Sequence, residues 1–436
     1  MNSYPRVLLV KFDKPAGETL VDLSYSEPIG LCYITAYLKK HGVACRMSHL
    51  FCEDGYSALK DIILDYQPEI IGFSVRNFNF SMTGAVIKNV RKTFPDIKIA
   101  LGGECITPQN ATSIAKDADA DAVFISDGEL SFFDYVAGVD PSKIAGLAYR
   151  TEQGDYQLSS KGPLCPQPSS LPMMVRDGLP MEQYMQDGFP GLKYATIHAQ
   201  RGCRYRCSFC TTAARYKTVS SRTVGQILAE IDYLVETYGV QSLAIWDEDF
   251  FADIDRARGI VHGLRKRNSP VKWHTFMKLT DLKRQDVVDL LPKLHEVGYT
   301  RAVIGLESFD EGRLKAYNKQ GIHNPVALIR QLSENDILLC PTFMIGGPRQ
   351  SCEDVAKELD TLLSLRDIHH IKMDLPYVVF PTPFPGTKMA EEFEQKGWIV
   401  DYDWSNYDTE HVVAQSLCPP EKLVSLRNEF YKKFYG

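Results

Sequence analysis

From Val7 onward the chain alternates short apolar runs with amphipathic stretches, and this alternation leaves few folds open. The runs in the first third are Val7-Leu8-Leu9-Val10, Ala44 to Ser48, Ile70 to Ser74, Ile97 to Leu101 and Ala122 to Ile125; helical patterns such as Tyr33 to His41 and Ala85 to Phe94 lie between them. Strand-type runs separated by helical ones imply parallel strands joined by crossover helices, so residues 1–137 are expected to form a doubly wound parallel α/β sheet. Ligands of such sheets bind outside the carboxyl ends of the strands. Those ends carry Ser74-Val75-Arg76-Asn77, Gly102-Gly103-Glu104 and Ser126-Asp127-Gly128-Glu129, and Pro28-Ile29-Gly30-Leu31 opens the first helix. Glycines there let a large ligand approach the backbone, although each of these residues taken singly is an ordinary turn residue.

Residues 138–192 read as a linker. A hairpin is expected over Gly146 to Leu158, followed by a tract with Pro163, Pro166, Pro168, Pro172 and Pro180 that no regular helix or central strand accommodates. A second alternating region, 193–397, begins with Tyr194 to Ala199 and continues through Ser242 to Trp246, Trp273 to Lys278, Arg301 to Leu306, Leu338 to Ile345 and Ile371 to Val379. Thr223-x-x-Gln226 has the form of a capping box for a helix that ends at Gly239. Residues 398–436 read as a helical extension with Trp404, Tyr407 and a periodic helix from Glu421 to Phe434, placed to cover the mouth of the second region or to pack as core.

The first strand of that region delivers Cys203-Arg204-Tyr205-Arg206-Cys207-Ser208-Phe209-Cys210. Three thiols at C-x3-C-x2-C spacing can converge on one metal centre as thiolates. A structural zinc site normally closes with four ligands in two pairs, and no second C-x2-C or histidine pair follows; buried, unligated cysteines do not need such spacing. Further strands end in Asp247-Glu248-Asp249-Phe250, Gly305-Leu306-Glu307-Ser308 and Ile345-Gly346-Gly347-Pro348. Carboxylates there would accept hydrogen bonds from an ammonium group, or simply complement helix N-termini.

The cysteine loop, with Phe209 before its last cysteine and Arg201-Gly202 before its first, resembles the signature of the radical S-adenosylmethionine (radical SAM) superfamily. The resemblance implies a 4Fe-4S cluster held by Cys203, Cys207 and Cys210. S-adenosylmethionine would chelate the fourth iron, and reductive cleavage of its sulfonium would yield a 5'-deoxyadenosyl radical that abstracts hydrogen from unactivated carbon. It further implies an open six-stranded (β/α)6 partial TIM barrel over residues 193–397, with S-adenosylmethionine contacts from Phe209, Asp247, Glu248, Asp249, Glu307 and Gly346.

The N-terminal strand ends resemble the Rossmann-like cobalamin-binding domain that precedes the barrel in one subgroup of that family. This implies cobalamin contacts from Pro28, Gly30, Leu31, Ser74, Arg76, Asn77, Gly102, Gly103, Glu104, Ser126, Gly128 and Glu129. The turn Pro381 to Thr387 is similar to one in the same subgroup. The Asp-x-His-x-x-Gly motif that supplies a histidine to cobalt elsewhere is absent: Lys11-Phe12-Asp13-Lys14-Pro15 stands after the first strand, and His41 and His49 lie outside that context. Arg76, with Asn77 as second choice, is expected near the lower face of cobalt, where an arginine cannot easily ligate.

The resemblance implies a cobalamin-dependent methyltransferase acting on an unactivated carbon or phosphorus of a biosynthetic intermediate, with methylcobalamin as methyl donor and a second S-adenosylmethionine restoring it. A non-methylating rearrangement, cyclisation or oxidation by the same cofactors is the alternative; a non-enzymatic iron-sulfur or corrinoid-binding protein is the third reading. The expected partners are a small-molecule or peptide substrate and an external electron donor of the flavodoxin or ferredoxin type. The net charge of -6 gives no basic field for nucleic acid. No apolar run reaches bilayer length, and Met1-Asn2-Ser3-Tyr4-Pro5 is not expected to be a secretory leader. Eleven scattered cysteines do not read as a disulfide framework. Cys352 and Cys418 are expected to be separate core or loop residues, and a reducing cytoplasm is the expected compartment.

Overall fold

β1 (Val7–Asp13), all seven residues of which are buried, lies one strand in from the edge of a seven-stranded sheet. Its partners are β2 (Cys45–Phe51), β3 (Ile70–Val75), β4 (Lys98–Gly103) and β5 (Ala122–Phe124), all parallel, followed by the antiparallel hairpin β6 (Leu147–Arg150) and β7 (Tyr156–Leu158). The order is β2-β1-β3-β4-β5-β6-β7, which reverses direction at β1 and so opens a crevice between the carboxyl ends of β1 and β3. The computed structural model describes residues 4–13, 27–51, 54–184, 192–319 and 325–436. The chain divides into two compact units, Met1–Asp187 and Gly188–Gly436.

The crossover helices of the first unit are α1 (Ile29–Lys40), α2 (Gly55–Tyr66), α3 (Asn77–Thr93), α4 (Ala111–Asp117) and α5 (Glu129–Val136). α3 starts where β3 ends: Arg76 caps it, and Asn79 Oδ1 accepts the Arg76 backbone N–H at 2.7 Å. The strand register sets Lys11 beside His49 on β2 and Ser74 on β3, and Ser74 beside Gly102 on β4. One polar row therefore runs across the carboxyl edge of four adjacent strands.

The second unit holds six parallel strands in the order β15-β14-β13-β12-β11-β8. They are β8 (Tyr194–Ile197), β11 (Ser242–Ile245), β12 (Lys272–Met277), β13 (Tyr299–Glu307), β14 (Leu338–Met344) and β15 (Tyr377–Val379). Two short strands, β9 (Gln200–Arg201) and β10 (Ser220–Ser221), pair antiparallel and bracket the cysteine loop. Sequential order with β8 and β15 as unpaired edges is the open (β/α)6 arrangement, a partial TIM barrel. The sixth strand is shorter than expected. Pro376 offers no backbone donor, Leu375 takes a left-handed conformation, and only an isolated bridge from Leu339 to Met373 precedes the strand proper.

Local signals set these boundaries. Thr223 accepts the Gln226 N–H, Gln226 Oε1 accepts the Thr223 N–H, and the helix Val224–Tyr238 ends on Gly239 with φ 66°. Trp273 is buried against Tyr299 and Phe250, with ring centroids 4.8 and 5.7 Å away, and its indole N–H donates to the Val297 carbonyl after the helix Leu291–Glu296. The helix Pro420–Tyr435 lies on the helix Cys352–Asp367. One expectation fails here: Cys352 and Cys418 are joined by a disulfide. Their 66-residue separation hides the pairing in the sequence; the packing of the two helices brings them together. Among the described residues no helix is long and apolar enough to cross a membrane.

Candidate active site

Cys203 is buried, Cys207 and Cys210 are half-buried, and all three are free thiols. Their loop is held by contacts from three directions. Arg204 forks onto Asp249, Nε to Oδ2 at 2.8 Å and Nη2 to Oδ1 at 3.0 Å, while its backbone N–H also reaches Oδ2. Arg206 donates to the carbonyls of Cys203 and Lys217. Ser208 N–H donates to the Tyr317 carbonyl, and Met389 N–H donates to the Ser208 carbonyl. Phe209 meets Tyr317 edge-on at 5.7 Å and packs on the cluster of Met344, Met389, Phe393 and Ala414.

Burial pushes the Cys203 thiol up to about 11 and raises that of Cys207. Burial by itself would lower the Lys278 ammonium, yet Cys203, Asp249, Cys210 and Cys207 outweigh it and hold Lys278 above its ordinary value. A half-buried cation thus lies within electrostatic reach of all three sulfurs, which suits thiolates better than thiols. Among the described residues, no three His, Cys, Asp or Glu side chains close around a single ion position.

The three acidic residues after β11 have different employments. Asp247 is fully buried; its Oδ1 accepts the Ala199 and Gln200 N–H groups, both at 2.8 Å, and its Oδ2 lies 3.0 Å from Arg256. Asp249 is committed to Arg204. Glu248 accepts from Thr212 Oγ1 at 3.0 Å with Oε1, but its other oxygen is buried with no hydrogen-bond partner among the described residues. Burial, with Asp247 beside it, lifts the Glu248 carboxyl to about 7. An orphaned acceptor at a strand end fits the ammonium of an amino-acid-like ligand.

Glu307, at the end of β13, sits at a register shift with φ 63°, a conformation a non-glycine residue holds only under constraint. Its Oε1 accepts from Lys319 Nζ at 2.9 Å and Thr342 Oγ1 at 3.3 Å. Gly305 leaves room for this pair: a Cβ there would lie 2.3 Å from Glu307 Oε1 and 2.5 Å from Lys319 Nζ. Gly346, at the end of β14, has its N–H bound by Gln350 Oε1 at 2.7 Å. Gln350 donates to Glu358, whose other oxygen accepts from Ser308 and the Phe309 N–H. The ends of β13 and β14 are therefore one hydrogen-bonded network.

In the first unit the structure gathers Ser74, Arg76, Asn77, Gly102, Gly103 and Glu104 at the adjoining ends of β3 and β4. Arg76 Nε lies 3.3 Å from Glu104. Gly103 presses on β3 so closely that a Cβ would meet the Val75 carbonyl at 1.8 Å. Asn77 is buried, and its Nδ2 has no partner among the described residues: an orphaned donor at the crevice, as an acceptor-rich ligand such as a corrin side amide would require. Pro28 caps α1, Gly30 is open around its Cα, and Leu31 is buried. Ser126 adopts φ 72° and lies 3.2 Å from Cys165, Gly128 caps α5, and Glu129 is buried in the first turn of α5.

Sequence reasoning missed a buried cluster beside this row. Lys11 Nζ lies 2.5 Å and His49 Nε2 2.8 Å from Asp13 Oδ2, and His49 Nδ1 is 2.6 Å from the Tyr184 hydroxyl. Burial drops His49 to about 4 and Lys11 to about 8. The ring is therefore neutral at pH 7, donating from Nε2 to the carboxylate and accepting from Tyr184 at Nδ1. The available signal was Lys11 and Asp13 two residues apart in an apolar strand, hence on one face.

The Radical SAM superfamily model matches residues 197–362 and the B12 binding domain model residues 21–134. This chain belongs to the radical SAM superfamily, among its members that carry a B12 binding domain ahead of the radical SAM domain. An uncharacterised methyltransferase of Pyrococcus horikoshii is 22% identical over 418 residues, covering 94% of this chain and 87% of that protein. The cytidylyl-2-hydroxyethylphosphonate methyltransferase of Streptomyces wedmorensis is 23% identical, covering 93% and 86%. The anaerobic magnesium-protoporphyrin IX monomethyl ester cyclase of Rubrivivax gelatinosus is 23% identical, covering 94% and 73%. In fold the chain is similar to the cobalamin-dependent radical enzyme OxsB (TM-score 0.75, 15% identity, 99% of this chain and 67% of that one). It is likewise similar to the radical methyltransferase TsrM of Kitasatospora setae (TM-score 0.71, 18% identity, 91% and 76%).

Proposed function

We propose that this radical SAM enzyme is a cobalamin-dependent methyltransferase, acting on an unactivated carbon or phosphorus of a small-molecule or peptide intermediate. The observation that carries the reading is the pairing, on one chain, of three free cysteines near the half-buried Lys278 with a B12-type sheet at whose switch-point crevice Asn77 Nδ2 has no partner among the described residues. Relatives that cover nearly the whole chain and are methyltransferases by name support it. When bound, the cofactors would supply one-electron cleavage of a sulfonium and a transferable methyl group.

The chain's own residues then have separable tasks. Cys203, Cys207 and Cys210 would hold three irons of the cluster and leave one without a protein ligand. Glu248 accepts from the ammonium of S-adenosylmethionine, while Asp247 and Asp249 keep the cysteine loop and the β8 end in place. Phe209, Glu307 and Gly346 line the remainder of that site, with Glu307 held in position by Lys319. In the first unit, Arg76, with Asn77 as second choice, would lie beside the bound cobalamin, where an arginine offers no ready ligand to the metal. Pro28, Gly30, Leu31, Ser74, Gly102, Gly103, Glu104, Ser126, Gly128 and Glu129 form the rest of the corrin's surroundings. Electrons come from a flavodoxin- or ferredoxin-type donor, and the compartment is the cytoplasm, with no nucleic acid as partner.

A second reading, cyclisation or another non-methylating outcome, is favoured by the cyclase among the relatives. Anaerobic reconstitution with iron, sulfide and hydroxocobalamin, followed by turnover with methyl-labelled S-adenosylmethionine, separates the two. About four irons and one cobalt per chain, with label retained in product, supports methyl transfer. Cofactor loading and 5'-deoxyadenosine without label transfer supports the second reading, and four irons without cobalt removes the cobalamin role.

A further inference from the structure

The disulfide Cys352–Cys418 joins two parts of the second unit that both bear on the proposed S-adenosylmethionine site. Cys352 is the first residue of the helix Cys352–Asp367, immediately after the loop that leaves β14. Cys418 is completely buried and stands just before the helix Pro420–Tyr435. Four further contacts run alongside the bond. Ser416 Oγ donates to the Gln350 carbonyl at 3.1 Å, and the Cys418 N–H donates to that same hydroxyl. Leu423 fills the space over Gly346, where a Cβ would meet its Cδ1 at 2.8 Å. Ala414 belongs to the apolar cluster on which Phe209 packs.

The C-terminal segment therefore touches the glycine turn after β14 through Leu423 and Gln350, and the cysteine loop through the cluster around Phe209. Gln350 carries the coupling onward, since its side chain binds the Gly346 N–H and Glu358, and Glu358 holds the end of β13. The bond is the one crosslink along this segment among the described residues; further along, Lys433 pairs with Asp360 and Arg366 donates to the carbonyls of Lys433 and Phe434.

We propose that Cys352–Cys418 is a thiol-exchange site, reduced by a dithiol protein of the thioredoxin class, whose opening loosens the C-terminal segment and weakens S-adenosylmethionine binding. Access assigns the order of events, because Cys352 is part-exposed and Cys418 is not. A thiolate of the reductant attacks the Cys352 sulfur, the S–S bond breaks, and Cys418 leaves as a thiolate that takes up a proton. The second thiol of the reductant then displaces Cys352 and closes its own disulfide. Two electrons and two protons have passed from dithiol to protein. The effect on binding follows because a site whose walls must first be ordered binds more weakly than one held in place.

The inference rests on the proposed function for its ligand but not for its primary readout. The full chain, purified without thiols and before cluster loading, is alkylated under denaturing conditions with and without prior reduction. The expectation is two fewer modified cysteines without reduction; modification of all eleven in both samples overturns the proposal. Hydrogen exchange of the same protein is expected to quicken over residues 345–351 and 414–435 on reduction, and Cys418→Ser is expected to match the reduced wild type without responding to reductant. Unchanged exchange overturns the proposal. With the reconstituted enzyme, reduction is expected to raise the dissociation constant for S-adenosylmethionine at least about fivefold, the low end of ordinary site-to-site coupling; equal affinities overturn the binding half of the claim. Loss of S-adenosylmethionine binding in both states, with exchange still responsive, overturns the functional reading and leaves the exchange site standing.

Discussion

Arg204, inside the cysteine loop, and Asp249, beyond β11, close a two-pronged ion pair that ties the cluster-binding segment to the neighbouring strand end. The Asp249 carboxylate is wholly buried, whereas Arg204 keeps 42% of its side chain exposed. Removing the arginine strands the carboxylate in a dry setting. A fully buried pair loses about 3–5 kcal/mol on such truncation, and partial exposure of Arg204 reduces this to about 2 kcal/mol. Arg204→Ala is expected to fold with a lowered melting temperature and to retain less than half the iron and sulfide of wild type after reconstitution. Arg204→Lys, which cannot form the fork, is expected to fall between them.

Glu248 makes the apo protein sensitive to pH in a definite direction. Its folded-state value of about 7 lies above the ordinary 4.5, so between these values the folded chain binds more protons than the unfolded one. Stability contributed by the neutral carboxyl is fully present below about 4.5 and is lost as pH rises to 7. Glu248→Gln is expected to be more stable than wild type above pH 7, by about 3 kcal/mol, and to approach it below pH 4.5, in denaturant titrations across this range. Binding of S-adenosylmethionine runs the other way: the wild-type association constant is expected to climb through pH 7, while the glutamine variant binds weakly and without that slope.

Asn77 tests the first unit. Its buried amide donor has no partner among the described residues, so Asn77→Ala removes an unsatisfied group and should leave thermal stability unchanged or slightly raised. A lost hydrogen bond to the corrin costs about 1 kcal/mol, and cobalamin affinity, read from absorbance titration of the apo chain, is expected to fall about five- to tenfold. Equal affinity would remove Asn77 from the cobalamin surroundings.

Gly305 tests the β13 end by shifting Glu307, a residue assigned to the S-adenosylmethionine site, without replacing it. A methyl group there displaces the Glu307 carboxylate and the Lys319 ammonium. Gly305→Ala is expected to weaken S-adenosylmethionine binding while iron content stays at the wild-type level. Loss of both together would mean that the pair supports the cysteine loop as well.

Much of this architecture was legible because it is written in periodicity. Val7 to Val10 and Ile70 to Ser74 could only be buried parallel strands, and Thr223 with Gln226 announced a helix start that formed with both reciprocal hydrogen bonds. Cys203, Cys207 and Cys210 were legible because their spacing is local. Asp247, Glu248 and Asp249 were found as a group, but which of them keeps a free oxygen depends on Ala199, Arg256 and Arg204, whose approach is set by tertiary packing. Cys352 and Cys418, like Lys11 and His49, meet only through strand order and helix packing, so no window of sequence contains the pair. The shortening of the last strand was visible in Pro376 and was outweighed by the apolar run around it.

The Pro-rich tract after the β6–β7 hairpin turns out to be a buckle. It leaves the sheet at the β7 edge and returns to the opposite edge, where Arg176 meets Glu27 at 2.5 Å with both side chains buried and Tyr184 meets His49 on β2. Ending the chain after the fifth strand would undo that fastening and leave a buried carboxylate without its guanidinium, a loss of about 3–5 kcal/mol. For anyone wishing to isolate the cobalamin-type half, the place to cut is beyond Tyr184, because the last residues of this half hold its first ones shut.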